Sequence, residues 1–267
     1  MTTYERRLSL LEMLKEQPGL RVPEVAQIME VSEGTVRNDL NALEKEGFLT
    51  RVHGGAVLSP SKQLLHPAFS TRHQFNATEK ECMGIHASKM INDGDSILLD
   101  ASSTIYYLAL NLLEFNRLRV VTNGIDVARL LAQNLSNTVI LLGGVVNQDG
   151  SSVTGLLSEQ IITELRIQKA FVSCSGLSME RGMTEVHLEE AQLKRTAIES
   201  AQQVIALVDS SKFGLEDLTS FASSDKITHL FTDSSIDEEW KTQLKRSEIP
   251  FTICGETNSW EMNQSHE

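Results

Sequence analysis

The chain has 267 residues, 24 Lys/Arg against 36 Asp/Glu for a formal charge of −12, and 40% hydrophobic residues. That length admits two domains or one large domain with an appendage, and the composition suits a globular chain with a proper core, so disorder is expected only at the ends. No apolar run reaches about 18 residues, and the start MTTYERRLSLLEMLKEQPG has no apolar core flanked by a cleavage site, so neither a membrane span nor a leader is expected and the protein is expected in the cytoplasm.

Cys82, Cys174 and Cys254 lie far apart and match no metal spacing. Three free thiols, with no metal and no cofactor, are therefore expected. The acidity argues at first against nucleic acid, because DNA binding rests on neutralising phosphates with Lys and Arg. Residues 1–58, however, hold seven Lys/Arg against nine Asp/Glu, a net of −2, and the rest of the excess acid lies downstream. Any DNA contact must come from where the cations sit rather than from how many there are.

In chain order, Leu8, Leu11 and Leu14, with Leu10 and Met13 beside them, recur at helical spacing and Pro18-Gly19 ends the run. Pro23 opens a second short helix with Val25, Ile28 and Met29 on one face. Ser32 is a good N-cap for a third helix in which Val36, Leu40 and Leu43 point inward at i, i+4 and i+7, and Gly47 stops it. Helix, short helix, turn, helix is the helix-turn-helix layout, whose last helix enters the major groove. Thr35, Arg37, Asn38 and Asn41 then face outward, with Ser32 at the start of the helix and Lys45 near its end. Arg pairs bidentately with guanine and Asn with adenine, so these are candidate base readers. A polar solvent face on a three-helix bundle is the alternative reading of the same spacing. FLTRV and AVL flank His53-Gly54-Gly55 as a hairpin, a wing that would bring Arg51 and His53 beside phosphate or the minor groove.

The stretch VSEGTVRNDLNALEKEGFLTRVHGGAV, residues 31–57, resembles the signature of the DeoR family of bacterial transcriptional regulators. The match runs without a gap. Asn38 stands where the family usually has a second Arg, which removes one cation from the reading helix.

SPSKQLLHPAF has two prolines and little periodicity and reads as part of a linker, 59–76. Thr78 is expected to cap a helix running to about Met90. Beyond it SILLD, RVVTN, TVILLG, KAFVS, VIALVD, THLFTD and PFTIC alternate with helical stretches, which implies βαβ units and a mostly parallel sheet. The expected architecture is α/β: a winged helix-turn-helix over 1–58, an effector-sensing α/β domain over 77–256, and a tail from 257 to 267.

Ligands of such sheets gather at the carboxyl ends of the strands, near helix N-termini. The segments that follow those ends are Asp100–Thr104, Thr122-Asn123-Gly124, Gly143-Gly144 and Asp209-Ser210-Ser211-Lys212. Hydroxyls, glycines and a Lys at one sheet edge suit an anionic, oxygen-rich ligand. Taken singly, each is equally a turn, and Gly143-Gly144 equally opens a hairpin.

The resemblance continues through TEK at 78–80, DGDSILLD, VVTNG, ILLGG, Gly155 and DSSKFG, so it spans roughly residues 4–233. The family's sensor domain is related to ribose-5-phosphate isomerase and glucosamine-6-phosphate deaminase and generally senses phosphorylated sugars or sugar-derived metabolites. It implies that Ser102, Ser103 and Thr104 cradle the phosphate, that Asp100, Asp209 and Lys212 complete the site, and that Asn123 and Gly143 touch the sugar. Lys80 is a further candidate. The family's usual Asp-x-Gly-Thr-Thr loop here has Ser102 in the glycine position, adding a Cβ and a hydroxyl where the backbone approaches the ligand.

The expected function is an operator-binding repressor of carbohydrate genes, not an enzyme, working as a homo-oligomer (dimer or tetramer) with double-stranded DNA and a phosphorylated sugar as partners and no membrane. Enzymes related to the sensor need a carboxylate base near a carbon-bound proton. After the strand KAFVS this chain has Ser173, Cys174, Ser175 and Gly176, while Glu190 with Lys194 reads as an i,i+4 surface pair. A regulator whose second domain only oligomerises is the other alternative.

Overall fold

The computed structural model describes residues 6–7, 10, 13–14, 19–29, 31–45, 49–52, 55–58, 69–73, 75–247 and 249–255. The chain forms two compact units, Met1–Pro67 and Ala68–Glu267.

In the first unit the described residues of the opening segment, Arg6, Arg7, Leu10, Met13 and Leu14, are helical. Helices α1 (Val22–Ile28) and α2 (Glu33–Lys45) follow, then strands β1 (Leu49–Val52) and β2 (Gly55–Leu58). Leu10, Leu14, Val22, Val25, Ala26, Met29, Val36, Leu40, Leu43, Leu49 and Ala56 close one core. Ile28, expected on the inward face of α1, is 58% exposed. Val22, Val25 and Ala26 face inward instead, because the helix begins at Val22 with Pro23 inside its first turn. The strands pair antiparallel from Leu49↔Leu58 to Val52↔Gly55, and residues 53 and 54, which join them, lie outside the described residues.

The second unit begins earlier than a linker over 59–76 would allow. Phe69–Arg72 is a helical turn, α3. Its Phe69 ring meets Tyr106 edge-on at 5.7 Å, the neighbouring His73 stacks on Tyr107 at 4.8 Å, and the Phe69 amide donates to Asp149 Oδ2 at 3.0 Å. Aromatic burial thus ties down a segment that the prolines made look free. Helix α4 (Ala77–Ser88) has Asn76, not Thr78, at its cap, in the left-handed region at φ 48°, which Asn tolerates better than most side chains.

The remaining elements alternate. They are β3 (Ser96–Leu99), α5 (Ser103–Leu110), β4 (Arg119–Thr122), α6 (Ile125–Leu131), β5 (Thr138–Leu141), β6 (Val145–Val146), β7 (Val153–Thr154), α7 (Leu156–Glu164) and β8 (Ile167–Val172). Then come β9 (Gly176–Ser178), β10 (Gly182–Glu185), α8 (Leu188–Ser200), β11 (Ala201–Leu207), β12 (Thr219–Ala222), β13 (His229–Asp233), α9 (Glu238–Arg246) and β14 (Phe251–Cys254). Seven strands form one sheet in the order β14-β13-β11-β8-β3-β4-β5, and every pair is parallel.

Alternate residues of each strand feed opposite faces, as a pleat requires. Ile97 and Leu99 pack with Met83, Ile105, Leu108 and Val127 on one side. Leu98 packs with Ile162, Leu193 and Ala197 on the other. The chain runs outward from β3 through β4 to β5, then returns to β8 on the opposite flank of β3. The carboxyl ends of β3 and β8 are therefore the switch point where an open parallel sheet leaves a crevice.

Outside the sheet, β6 and β7 form an antiparallel hairpin. Gly144 opens it at φ +150°, where an added Cβ would lie 2.3 Å from the Thr154 carbonyl oxygen, so that glycine is required by the close approach. Strands β9, β10 and β12 form a small antiparallel sheet.

Candidate functional site

The reading helix α2 starts as its sequence demands, with the Thr35 amide donating to Ser32 Oγ at 3.1 Å and the two hydroxyls 2.8 Å apart. Arg37, Asn38 and Asn41 are exposed and Thr35 is half-buried. Arg37 Nη2 donates to Glu33 Oε2 at 2.7 Å on the same helix face. Arg51 on β1 donates through Nη1 to Asn41 Oδ1 at 2.6 Å, and its amide donates to Glu44 Oε1 at 2.9 Å, so wing and helix share contacts. The side chain of Lys45 and all of His53 lie outside the described residues.

Asp39 was visible only as one acid among nine, yet it is 2% exposed. Arg6 donates to it through Nε at 2.5 Å and Nη2 at 3.3 Å, and Arg7 through Nε at 3.0 Å. The Asp39 hydrogen bond raises Arg6 above the ordinary arginine value. Two of the seven cations of residues 1–58 therefore lock the first helix to α2 and are spent before any phosphate is met. The signal was present in the period, because position 39 falls on the inward face between Val36 and Leu43.

In the second unit, Asp100 ends β3 and is buried. Its Oδ1 accepts from the Ser102 amide at 2.8 Å and its Oδ2 from the Ser173 amide at 2.9 Å, which splices the loop after β3 to the end of β8. Ser102 sits at φ −72° and its hydroxyl accepts from the Ile105 amide at 3.2 Å. The residue in the glycine position is thus an N-cap in an ordinary conformation, its hydroxyl oxygen accepting from the helix while its O–H is left to donate. Ser103 and Thr104, both buried, occupy the first turn of α5, whose amides have no helical carbonyl to meet.

Lys80 on α4 reaches this turn. Its Nζ donates to Ser103 Oγ at 3.1 Å and to the Arg72 carbonyl at 2.6 Å. Burial pushes its pKa down to about 8; Asp209 opposes the shift while Lys212 and Arg72 add to it. Asp209 is buried and accepts from Asn76 Nδ2 at 2.9 Å and from the Ser211 amide at 3.2 Å. Lys80 and Ser103 are thus in contact, with Asp209 and Lys212 near enough to shift the Lys80 pKa, while the Arg72 guanidinium lies 3.7 Å from Asp149 Oδ2. Arg72 was hidden in the supposed linker, and its Nε is buried without a hydrogen-bond partner. Asn123 is buried at the end of β4, next to β3. Gly143 lies one strand further out, after β5; it is exposed, and its carbonyl accepts from Ser158 Oγ at 2.6 Å.

Beneath the loop, Lys194 is 6% exposed and is no surface partner. It lies 2.6 Å from Glu185 Oε2 and 3.3 Å from Asp100 Oδ2, and it donates to the Ser173 carbonyl at 2.9 Å. Burial would push Lys194 down, but Glu185, Asp100 and Glu190 outweigh it and hold its pKa above the ordinary lysine value. Burial pushes Glu190 up, against Lys194 and a hydrogen bond from Ser152. Helical spacing correctly put Glu190 and Lys194 near each other but said nothing of the sheet edge that covers them.

A winged helix-turn-helix joined to an α/β domain with cations around a helix start at its switch point defines a ligand-responsive DNA-binding regulator. The DeoR-like helix-turn-helix domain matches residues 6–62 and the DeoR C-terminal sensor domain matches residues 75–234. The chain is 34% identical to the HTH-type transcriptional regulator GolR of Listeria innocua, over 95% of this chain and 100% of that one. It is 33% identical to the lactose phosphotransferase system repressor of Streptococcus mutans, over 93% and 99%. The ribose-5-phosphate isomerase of Methanocaldococcus jannaschii superposes with TM-score 0.39 at 16% identity, covering 52% of this chain and 55% of that one. This chain belongs to the DeoR family of transcriptional regulators.

Proposed function

We propose that this regulator is a cytoplasmic repressor of carbohydrate-utilisation genes that leaves or holds its operator according to the capture of a phosphorylated sugar at the start of α5. The observation that carries the reading is Lys80 Nζ 3.1 Å from Ser103 Oγ in the first turn of α5, with Lys212 close enough to Lys80 to help lower its pKa. A helix N-terminus supplies free amides for an anion, and lysines supply point charges. The relatives named for sugar systems, such as the lactose phosphotransferase repressor, support the substrate class. Asp100 and Asp209 act from below, holding the loops rather than touching the ligand. Asn123, after β4 beside β3, would meet the sugar near the phosphate, and Gly143, after β5 one strand further out, would meet its far end.

On the DNA side, Arg37 exchanges its Glu33 partner for a guanine edge, at the cost of an exposed i,i+4 pair worth about 0.3–0.5 kcal/mol. A homodimer would set two such helices in successive major grooves. Leu156 and Leu157 on α7, 67% and 62% exposed, are adjacent apolar side chains that such pairing would cover. Catalysis is no part of this reading, because Asp100 and Glu185 are both engaged with Lys194.

The test is thermal denaturation of the full chain against a panel of sugar phosphates, repeated with DNA from its own upstream region. A ligand at 100 times its Kd adds about 2.7 kcal/mol. Lys80→Met and Lys212→Ala should each lose that shift while keeping operator binding. A ligand shift unchanged in both variants overturns the site, and a sugar phosphate consumed on incubation overturns the non-catalytic reading.

A further inference from the structure

The three cysteines are free, but two of them are not far apart in the fold. Cys82 lies on α4 one turn before His86, so both point from one helix face. Cys254 is the last residue of the edge strand β14 and is buried. The ligand atoms of Cys82, His86 and Cys254 all lie within 4.8 Å of one another, with Cys82 Sγ 3.8 Å from His86 Nδ1. A tetrahedral ion at about 2.3 Å from sulfur and about 2.0 Å from nitrogen holds S and N roughly 3.6 Å apart and two sulfurs roughly 3.8 Å apart. Shifts of an ångström or less complete that geometry.

We infer that Cys82, His86 and Cys254 form a binding site for a thiophilic d10 cation, Zn2+ or Cu+, which ties α4 to the edge strand β14. Soft thiolates with one imidazole select these ions over Mg2+ or Ca2+. In the free protein burial pushes both thiols above their ordinary pKa, so neither is a standing thiolate. His86 Nδ1 lies 2.9 Å from the Cys82 carbonyl oxygen, a hydrogen bond that ligation through Nδ1 replaces. Capture of Zn2+ forms two Zn–S bonds and one Zn–N bond, breaks two S–H bonds and releases two protons to solvent. With Zn2+ the two thiolates cancel the charge of the ion, which suits a site packed against the apolar cluster of Met83 and Ile97, whereas with Cu+ they leave a net charge of −1. The fourth position stays open to water.

The placement links the site to the rest of the sensor. Lys80 is two residues before Cys82 on α4. Asp233, the register partner of Cys254, accepts from the Ser210 amide at 2.6 Å at the start of the loop that carries Lys212.

The test uses the reduced full-length chain in metal-free buffer. Zn2+ is titrated against a chromogenic chelator, Cu+ against a cuprous chelator, and Co2+ is read by its thiolate charge-transfer band. The expected result is one ion per chain, with two protons released per Zn2+ and Cys82 protected from alkylation. Cys82→Ser and His86→Gln should each weaken binding by at least about 100-fold, because even an outer partner of a ligand is worth roughly 10–100-fold. Cys174→Ser should leave the stoichiometry unchanged. His86 is only half-buried, so His86→Gln is the variant that decides if a cysteine variant fails to fold. Binding of Cu+ alone assigns the site to the cuprous ion. No binding of either ion to the folded chain overturns the proposal, as does binding that survives His86→Gln and Cys82→Ser unchanged. Loss of two hydrogens from the chain in air, with no metal uptake before oxidation, assigns the pair to a disulfide instead.

Discussion

The two units hold their functional side chains in opposite ways. In the first, the candidate base readers Arg37, Asn38 and Asn41 are exposed, and Arg37 and Asn41 each make one surface bond, to Glu33 and Arg51. In the second, Lys80, Asp100 and Asp209 are buried and each makes two or more contacts across distant segments. A surface that must adapt to DNA keeps its donors loosely occupied, since an exposed pair is cheap to break. A site that must discriminate a small anion is preorganised, because ordering it anew at each binding would cost affinity.

The buried half is the more fragile. Lys194→Ala should destabilise the chain by about 3–5 kcal/mol, because it leaves Asp100 and Glu185 charged and unpaired at the switch point. The denaturant midpoint measures this, and a loss below about 1 kcal/mol would show that water already screens the cluster.

On the exposed half, Arg37→Ala should cost about 1–3 kcal/mol in operator affinity and relax preference at one base pair, with stability unchanged. Fluorescence anisotropy on operator and scrambled DNA separates the two effects. An equal loss on both DNAs would move Arg37 from base to phosphate.

Ser102 tests the boundary between support and contact. As an N-cap its replacement by Ala should cost about 1 kcal/mol of stability, and by Gly only a few tenths. If both variants lose ligand affinity equally while stability stays flat, the hydroxyl faces the ligand after all.

The comparison also carries a pH dependence. Lys80 falls to about 8 in the fold from the ordinary value near 10.5, so phosphate affinity should decline as pH rises through about 8 and the cation is lost. For stability the sign is the reverse: between about 8 and 10.5 the unfolded chain holds more protons on this group, so stability rises with pH there. Isothermal titration with a sugar phosphate and urea unfolding, each compared with Lys80→Met, read the two slopes. Parallel slopes in wild type and variant would remove Lys80 from both.

What was legible and what was not follow the range of the forces. The seven strands, the helix-turn-helix order, the Ser32 cap and the inward face of α2 were readable because apolar period and capping act over a few residues. The loop after β3 was readable for the same reason, as a strand followed by Asp100, Ser102, Ser103 and Thr104 and then a helix start. Phe69–Arg72 was missed because it is ordered by Tyr106 and Asp149, far along the chain. Asp39 was missed because its partners lie more than thirty residues away, and Lys194 was misplaced because its burial comes from strand ends that the sequence does not place beside it. By itself the sequence determined the seven strands of the main sheet and the order of the helix-turn-helix. Only the tertiary structure decided which charges meet: the order of parallel strands brings Asp100, Ser173, Lys194 and Glu185 together at one switch point, and that order is a long-range contact no local pattern encodes.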